Sequence, residues 1–139
     1  MDIDRSIDPT SDQMRSLRDK GPDGPIVMVN LLKFRTHAQY PEGSNETPCS
    51  GQQAYARYQD AFTVAVGDVS HADVIYDGPV NQVFIGRAGA RETDWDKVLI
   101  VRYPSRQHFL GMMADTRYRA ALVHRYAGLE RTVLLQCEK

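Results

Sequence analysis

The sequence predicts an α+β fold, a four-stranded antiparallel sheet with two helices on one face and an added helix in front. Three observations carry this prediction. Ile26–Phe34 is an apolar run on both alternations, broken only by Asn30 and Lys33, and a strand with two apolar faces belongs to a sheet covered on both sides. Residues 98–101, Val-Leu-Ile-Val, repeat the pattern. The elements also follow the order strand, helix, strand, strand, helix, strand, in which the helices share one face of the sheet.

Taken in order, residues 1–9 read as a loose arm. Thr10 with Gln13 forms a capping box for a short helix striped by Met14 and Leu17. The run Lys20-Gly-Pro-Asp-Gly-Pro25 stops it and launches the strand Ile26–Phe34. Residues 36–50 are polar, aperiodic and carry two prolines; so long a connection is read as a mobile excursion, with a functional lid as the alternative. Ser50 and Gln53 repeat the capping box before a helix that places Tyr55, Tyr58, Phe62 and Ala65 on one buried face.

Residues 73–86 are strand material bent at Asp77-Gly78-Pro79, which fits a bulged edge strand or two short strands. Residues 87–94 are a polar turn, and residues 95–103 form the next strand, ended by Pro104. Ser105 caps a helix with Phe109, Met112 and Met113 inward. Asp115 and Thr116 mark a break and a second cap, followed by a helix with Tyr118, Ala121, Leu122 and Arg125 on one side, closed by Gly128. Residues 132–137 are the last strand. The expected organisation is thus an arm and helix over 1–21, and one ferredoxin-like βαββαβ domain over 22–139. Its helix-free sheet face is apolar, so a homodimer through that open face is expected.

The chain has 139 residues, enough for one core, and 17 Lys plus Arg against 18 Asp plus Glu, so no overall field draws nucleic acid or an anionic membrane. Neither is expected as a partner. No apolar run approaches the ~20 residues of a spanning helix. The N-terminus lacks the basic-then-apolar order of a secretory signal, which makes a cytoplasmic location the expectation. Cys49 and Cys137 form no metal-type spacing, and the four histidines are scattered, so no metal and no bound cofactor are expected. Phosphate-loop, dinucleotide, nucleophile-elbow and zinc-protease motifs are absent from the sequence.

Polar residues within apolar faces are the candidate site. Asn30 shares a strand face with Ile26, Met28, Leu32 and Phe34; it either orients a ligand carbonyl or water, or is a structural amide. Arg125 on the inward side of its helix could hold a carboxylate or enolate, or pair with a local acid such as Asp96 or Glu130. His124 is a candidate general base, or a solvent-facing histidine. Tyr58 offers a hydroxyl at the rim of an aromatic face. Asn30, Tyr58, His124 and Arg125 are therefore the catalytic candidates. Lys33 and Arg106 are ligand-binding candidates, against a solvated head for Lys33 and a salt bridge to Asp96 or Asp115 for Arg106.

Several segments together carry a resemblance: residues 24–34 with Asn-Leu-Leu-Lys-Phe, Tyr55 and Tyr58, residues 95–106 ending Tyr-Pro-Ser-Arg, residues 109–113, Tyr118, and His124-Arg125 through Leu129. They resemble the domain-of-unknown-function family 1330 over residues 22–137. The chain departs from that pattern in the loop at 36–50 and in the N-terminal helix. The resemblance implies a dimeric α/β barrel, a fold that hosts cofactor-independent monooxygenases, haem-degrading enzymes, isomerases and plain binding modules, so it selects no reaction. The reading is a small-molecule-binding protein, with a cofactor-independent enzyme acting on an oxygen-bearing metabolite as its sharpest form. The alternatives are a non-catalytic dimeric binding or scaffold module and, third, a haem-handling protein.

Overall fold

The computed structural model describes residues 7–86 and 94–138. Helix α1 (Ser11–Lys20) is followed by β1 (Ile26–Phe34), α2 (Gly51–Ser70), β2 (Asp73–Pro79), β3 (Lys97–Tyr103), α3 (Arg106–Ala114), α4 (Thr116–Gly128) and β4 (Leu129–Glu138). The sheet order is β2-β3-β1-β4, with every neighbouring pair antiparallel. This is the ferredoxin-like α+β fold with an added N-terminal helix.

Local signals fix the helix starts. Thr10 and Ser50 each accept a hydrogen bond from the backbone N–H of Gln13 and Gln53, whose side chains return the bond to the cap. Ser105 and Asp115 cap α3 and α4 in the same sense, accepting from the N–H of His108 and Arg117. Each cap satisfies donors that a helix start leaves without partners.

The two faces of the sheet differ. Ile26, Met28, Leu32, Leu99, Val101 and Tyr103 are buried under the helices, where they meet Tyr55, Phe62 and Met112. The alternate residues, among them Val29, Leu31, Val98 and Ile100, are only half-buried, and Leu135 is exposed. Strand alternation places these on the face without helices.

Three boundaries differ from expectation. Strand β2 stops at Pro79 and slips register between Val74 and Tyr76, so the bend is a bulged edge strand; proline is tolerated there because an edge leaves its missing N–H without consequence. Trp95 lies ahead of β3, its ring 5.1 Å under the Arg131 guanidinium. Strand β4 begins at Leu129, directly at the end of α4, because Phe34 pairs with Leu129 across a register shift that lengthens the ladder. The polar turn expected at 87–94 lies, apart from Asp94, outside the described residues.

The connection between β1 and α2 is not a loose excursion. Backbone N–H groups of Arg35, Ala38 and Gln39 donate to the carbonyls of Gly128, Cys49 and Ala127, and Arg57 donates to the Thr47 carbonyl. The segment thus lies along the end of α4. Gly51 and Gly128 allow this: a Cβ on Gly128 would stand 2.5 Å from the Gly51 carbonyl oxygen. Among the described residues, no helix is long and apolar enough to cross a membrane.

Candidate functional site

A cavity of about 790 Å³ lies between the sheet and the helices. Met28, Leu99 and Val101 supply its floor, Phe62, Met112 and Leu122 its roof, and Leu134 of the edge strand its side. Met14 and Leu17 of α1 reach its mouth, although α1 buries no residue of its own. Into these apolar walls project Asn30, Tyr55, Tyr58, Tyr118 and Arg125.

Asn30 sits in mid-β1 opposite Leu99, and its amide nitrogen donates to the Leu99 carbonyl at 3.0 Å. That bond fixes the side chain while leaving its carbonyl oxygen as a further hydrogen-bonding group. Tyr55, Tyr58 and Phe62 follow the helical repeat of α2, and Tyr118 meets them from α4: the Tyr58 and Tyr118 hydroxyls are 3.0 Å apart, with ring centroids at 6.1 Å. Burial pushes the Tyr58 phenol well above its ordinary range, and neighbouring Tyr118 and Tyr55 add to the shift while the Arg125 cation opposes it. Burial likewise raises Tyr55, again against Arg125. Both phenols are therefore protonated near neutral pH, each a neutral hydroxyl able to donate or to accept a hydrogen bond.

Arg125 is about one-sixth exposed, and its guanidinium lies 3.6 Å from the Asp8 carboxylate. Asp8 also accepts a hydrogen bond from the Tyr126 hydroxyl at 3.0 Å. The acid beside Arg125 is neither Asp96 nor Glu130, the two the sequence suggests, but Asp8 of the segment ahead of α1. A planar cation at an apolar wall, beside protonated phenols and an amide, suits an oxygen-bearing group with partial or full negative charge.

The other candidates lie elsewhere. His124 points away from the cavity toward the 36–50 segment, with Nδ1 2.7 Å from the Tyr40 hydroxyl. Arg57 donates to that same hydroxyl at 3.1 Å, so Tyr40 donating to Nδ1 satisfies all three groups. A proton shuttle from His124 to Asn30 and Arg125 does not fit this placement, since adjacent helical residues diverge by about 100°. Lys33 lies on the helix-free face, 3.2 Å from Asp96, whose other oxygen accepts from the Phe34 N–H. Arg106 donates to the carbonyls of Arg18, Gly21 and Pro22 and lies 3.2 Å from Asp23. It clamps the end of α1, a favourable place for a cation, rather than facing a ligand. Neither of the acids expected for Arg106 is its partner: Asp115 pairs with Arg117 and Asp96 with Lys33.

Two members of the cavity were not singled out from the sequence. The sequence places Tyr118 only on the inward side of its helix, though an inward hydroxyl on each of two helices over one sheet face is a signal that they meet. Asp8 gave no signal, because nothing local ties an arm to a helix more than a hundred residues away.

No family model matches the chain, and no curated protein is similar to it. Among solved structures, the RPA0582 protein of Rhodopseudomonas palustris, of unknown function, is 32% identical with a TM-score of 0.82, over 96% of this chain and 95% of that one. Its methylated form gives 0.83 at the same identity, over 96% and 94%. A dimeric protein of unknown function and ferredoxin-like fold from Bacteroides fragilis NCTC 9343 shares the fold at 12% identity, with a TM-score of 0.50 over 83% of this chain and 96% of that one.

Proposed function

The chain belongs to the family of the RPA0582 protein, and on that premise we propose that it is a homodimeric small-molecule-binding protein whose helix-side cavity takes an oxygen-bearing organic compound. One observation carries the reading: Asn30, Tyr58, Tyr118 and Arg125 line a cavity of about 790 Å³ whose floor and roof are apolar, with further polar residues such as Gln59 and Lys20 around it. That size falls in the ~300–1,000 Å³ range of small-molecule sites, in which a few polar groups orient a mostly apolar ligand. Finer placement in the domain-of-unknown-function family 1330 rests on the motifs at 24–34 and 95–106.

The dimer is supported by the half-buried apolar residues of the helix-free face, led by Val29, Leu31 and Ile100, with exposed Leu135 beside them. A sheet face of this kind is covered in a stable protein. The description of the Bacteroides fragilis protein as dimeric agrees with this.

A fragment library of alcohols, ketones, amides and acids screened by ligand-observed NMR tests the reading. Hits should bind the wild type and be lost in Leu134→Trp, which fills the cavity from a position 44% exposed and so spares the core. An absence of hits, or hits indifferent to Leu134→Trp, contradicts it and leaves a scaffold.

Turnover of the bound compound is a second reading, favoured by the Tyr58–Tyr118 hydroxyl pair beside the Arg125 cation. Hydroxyls and a cation held in place can stabilise negative charge developing on oxygen. Turnover abolished in both Asn30→Ala and Arg125→Ala supports it; no turnover across the library leaves binding alone.

A further inference from the structure

The segment ahead of α1 offers Arg125 the kind of group that a ligand would offer. Ile7 packs against the core cluster and lines the cavity, and the next residue, Asp8, sets its carboxylate 3.6 Å from Arg125. An apolar body followed by an acid thus lies at the cavity mouth, built from the chain itself. Arg125 is held by little else of opposite charge: Asp8 is its only ion-pair partner among the described residues.

We propose that the ligand of this cavity is an apolar carboxylate, whose acid group takes Arg125 by displacing Asp8. The inference rests on the cavity-binding reading and adds the ligand's chemical class and an internal competitor. Asp8 is suited to yield. Its side chain is 57% exposed and the pair is longer than a hydrogen bond, and ion pairs of that exposure change an equilibrium by about fivefold at most. A ligand carboxylate reaching Arg125 from inside the cavity would be less solvated and could engage both guanidinium nitrogens, which strengthens the contact. The Tyr126 hydroxyl, now donating to Asp8 at 3.0 Å, would then be free to keep the displaced segment close or to donate to the incoming acid. The helix α1 that follows has no fully buried residue, and Ile7 and Leu17 pack against the core only partly buried.

Matched acid and primary-amide probes test this: phenylacetate with phenylacetamide, 4-phenylbutyrate with 4-phenylbutanamide, and hexanoate with hexanamide. Binding is measured by titration calorimetry on the wild type, Asp8→Asn and Arg125→Gln. Asp8→Asn keeps the acceptor for Tyr126 and removes only the charge, so folding is not at stake. At least one acid should bind more tightly than its amide, Asp8→Asn should tighten that acid about two- to fivefold and leave the amide unchanged, and Arg125→Gln should abolish the preference. Acids and amides bound alike in the wild type and in Asp8→Asn would overturn the carboxylate assignment while leaving the cavity reading intact. No binding by either member of any pair would overturn both. An acid preference that Asp8→Asn does not increase would overturn the displacement.

Discussion

The hydroxyls of Tyr58 and Tyr118 meet at 3.0 Å across the interface between α2 and α4, inside the helix-side cavity. Sixty residues apart in sequence, they are joined because each occupies the inward face of its helix over the same side of the sheet. The bond satisfies two buried polar groups at once. Replacing either tyrosine by phenylalanine leaves the ring packing in place and one hydroxyl without its partner, at about 1–2 kcal/mol. The double variant removes both groups and should be no less stable than either single one. Urea denaturation of the four proteins measures the cycle, and additive losses would mean that the two hydroxyls are not coupled.

Alkaline pH should destabilise the fold through buried phenols. Tyr55, Tyr58 and Tyr103 all have pKa values raised above the ordinary 10.0, burial being the largest cause in each. With folded values above the unfolded one, the native state holds protons that the unfolded chain releases. Stability is therefore unaffected below about pH 10 and falls as the pH rises beyond it. Urea midpoints from pH 8 to 11, followed with tyrosinate absorbance, should show three of the seven tyrosines ionising only as the protein unfolds.

Close approach between the start of α2 and the end of α4 depends on glycine. Gly128→Ala would drive a Cβ to 2.5 Å from the Gly51 carbonyl oxygen and 2.9 Å from the Tyr55 nitrogen, both backbone atoms. Overpacking of this kind costs about 1–3 kcal/mol. Gly67→Ala is the contrast: its Cβ meets nothing within 4 Å, and removing a helical glycine should raise stability by about 0.5–1 kcal/mol. Thermal or urea denaturation distinguishes the two signs.

The apolar face without helices should hold two copies together. Leu135→Arg places a charge on that face at a position 50% exposed in the single chain, so the protomer should fold and the dimer should dissociate. Light scattering at micromolar concentration should report a dimer for the wild type and a monomer for the variant. A monomeric wild type would remove the dimer.

The elements whose signals are local were legible in the sequence. Capping residues Thr10, Ser50, Ser105 and Asp115 mark helix starts by contacts two or three residues long, and strand β1 has the bounds that its apolar run has. The ends of β3 and β4 were less legible, because a strand extends as far as its neighbours offer partners, as Leu129 does with Phe34. Side-chain fate was least legible. Helical projection put Arg125 inward, and it lines the cavity, but its acid partner comes from the N-terminal segment. Arg106 lies at the unfavourable start of its own helix, and its partners are carbonyls at the end of another helix. His124 faces neither solvent nor cavity, because the 36–50 segment supplies Tyr40 where no helical or strand repeat predicts a contact.

The most direct measurement is a crystal structure of the protein soaked with the tightest hit from the fragment screen. The hit should lie between sheet and helices, with its oxygen within hydrogen-bonding distance of Asn30, Tyr58 or Arg125. A hit seated on the helix-free sheet face or outside the cavity, at concentrations well above its dissociation constant, would contradict it.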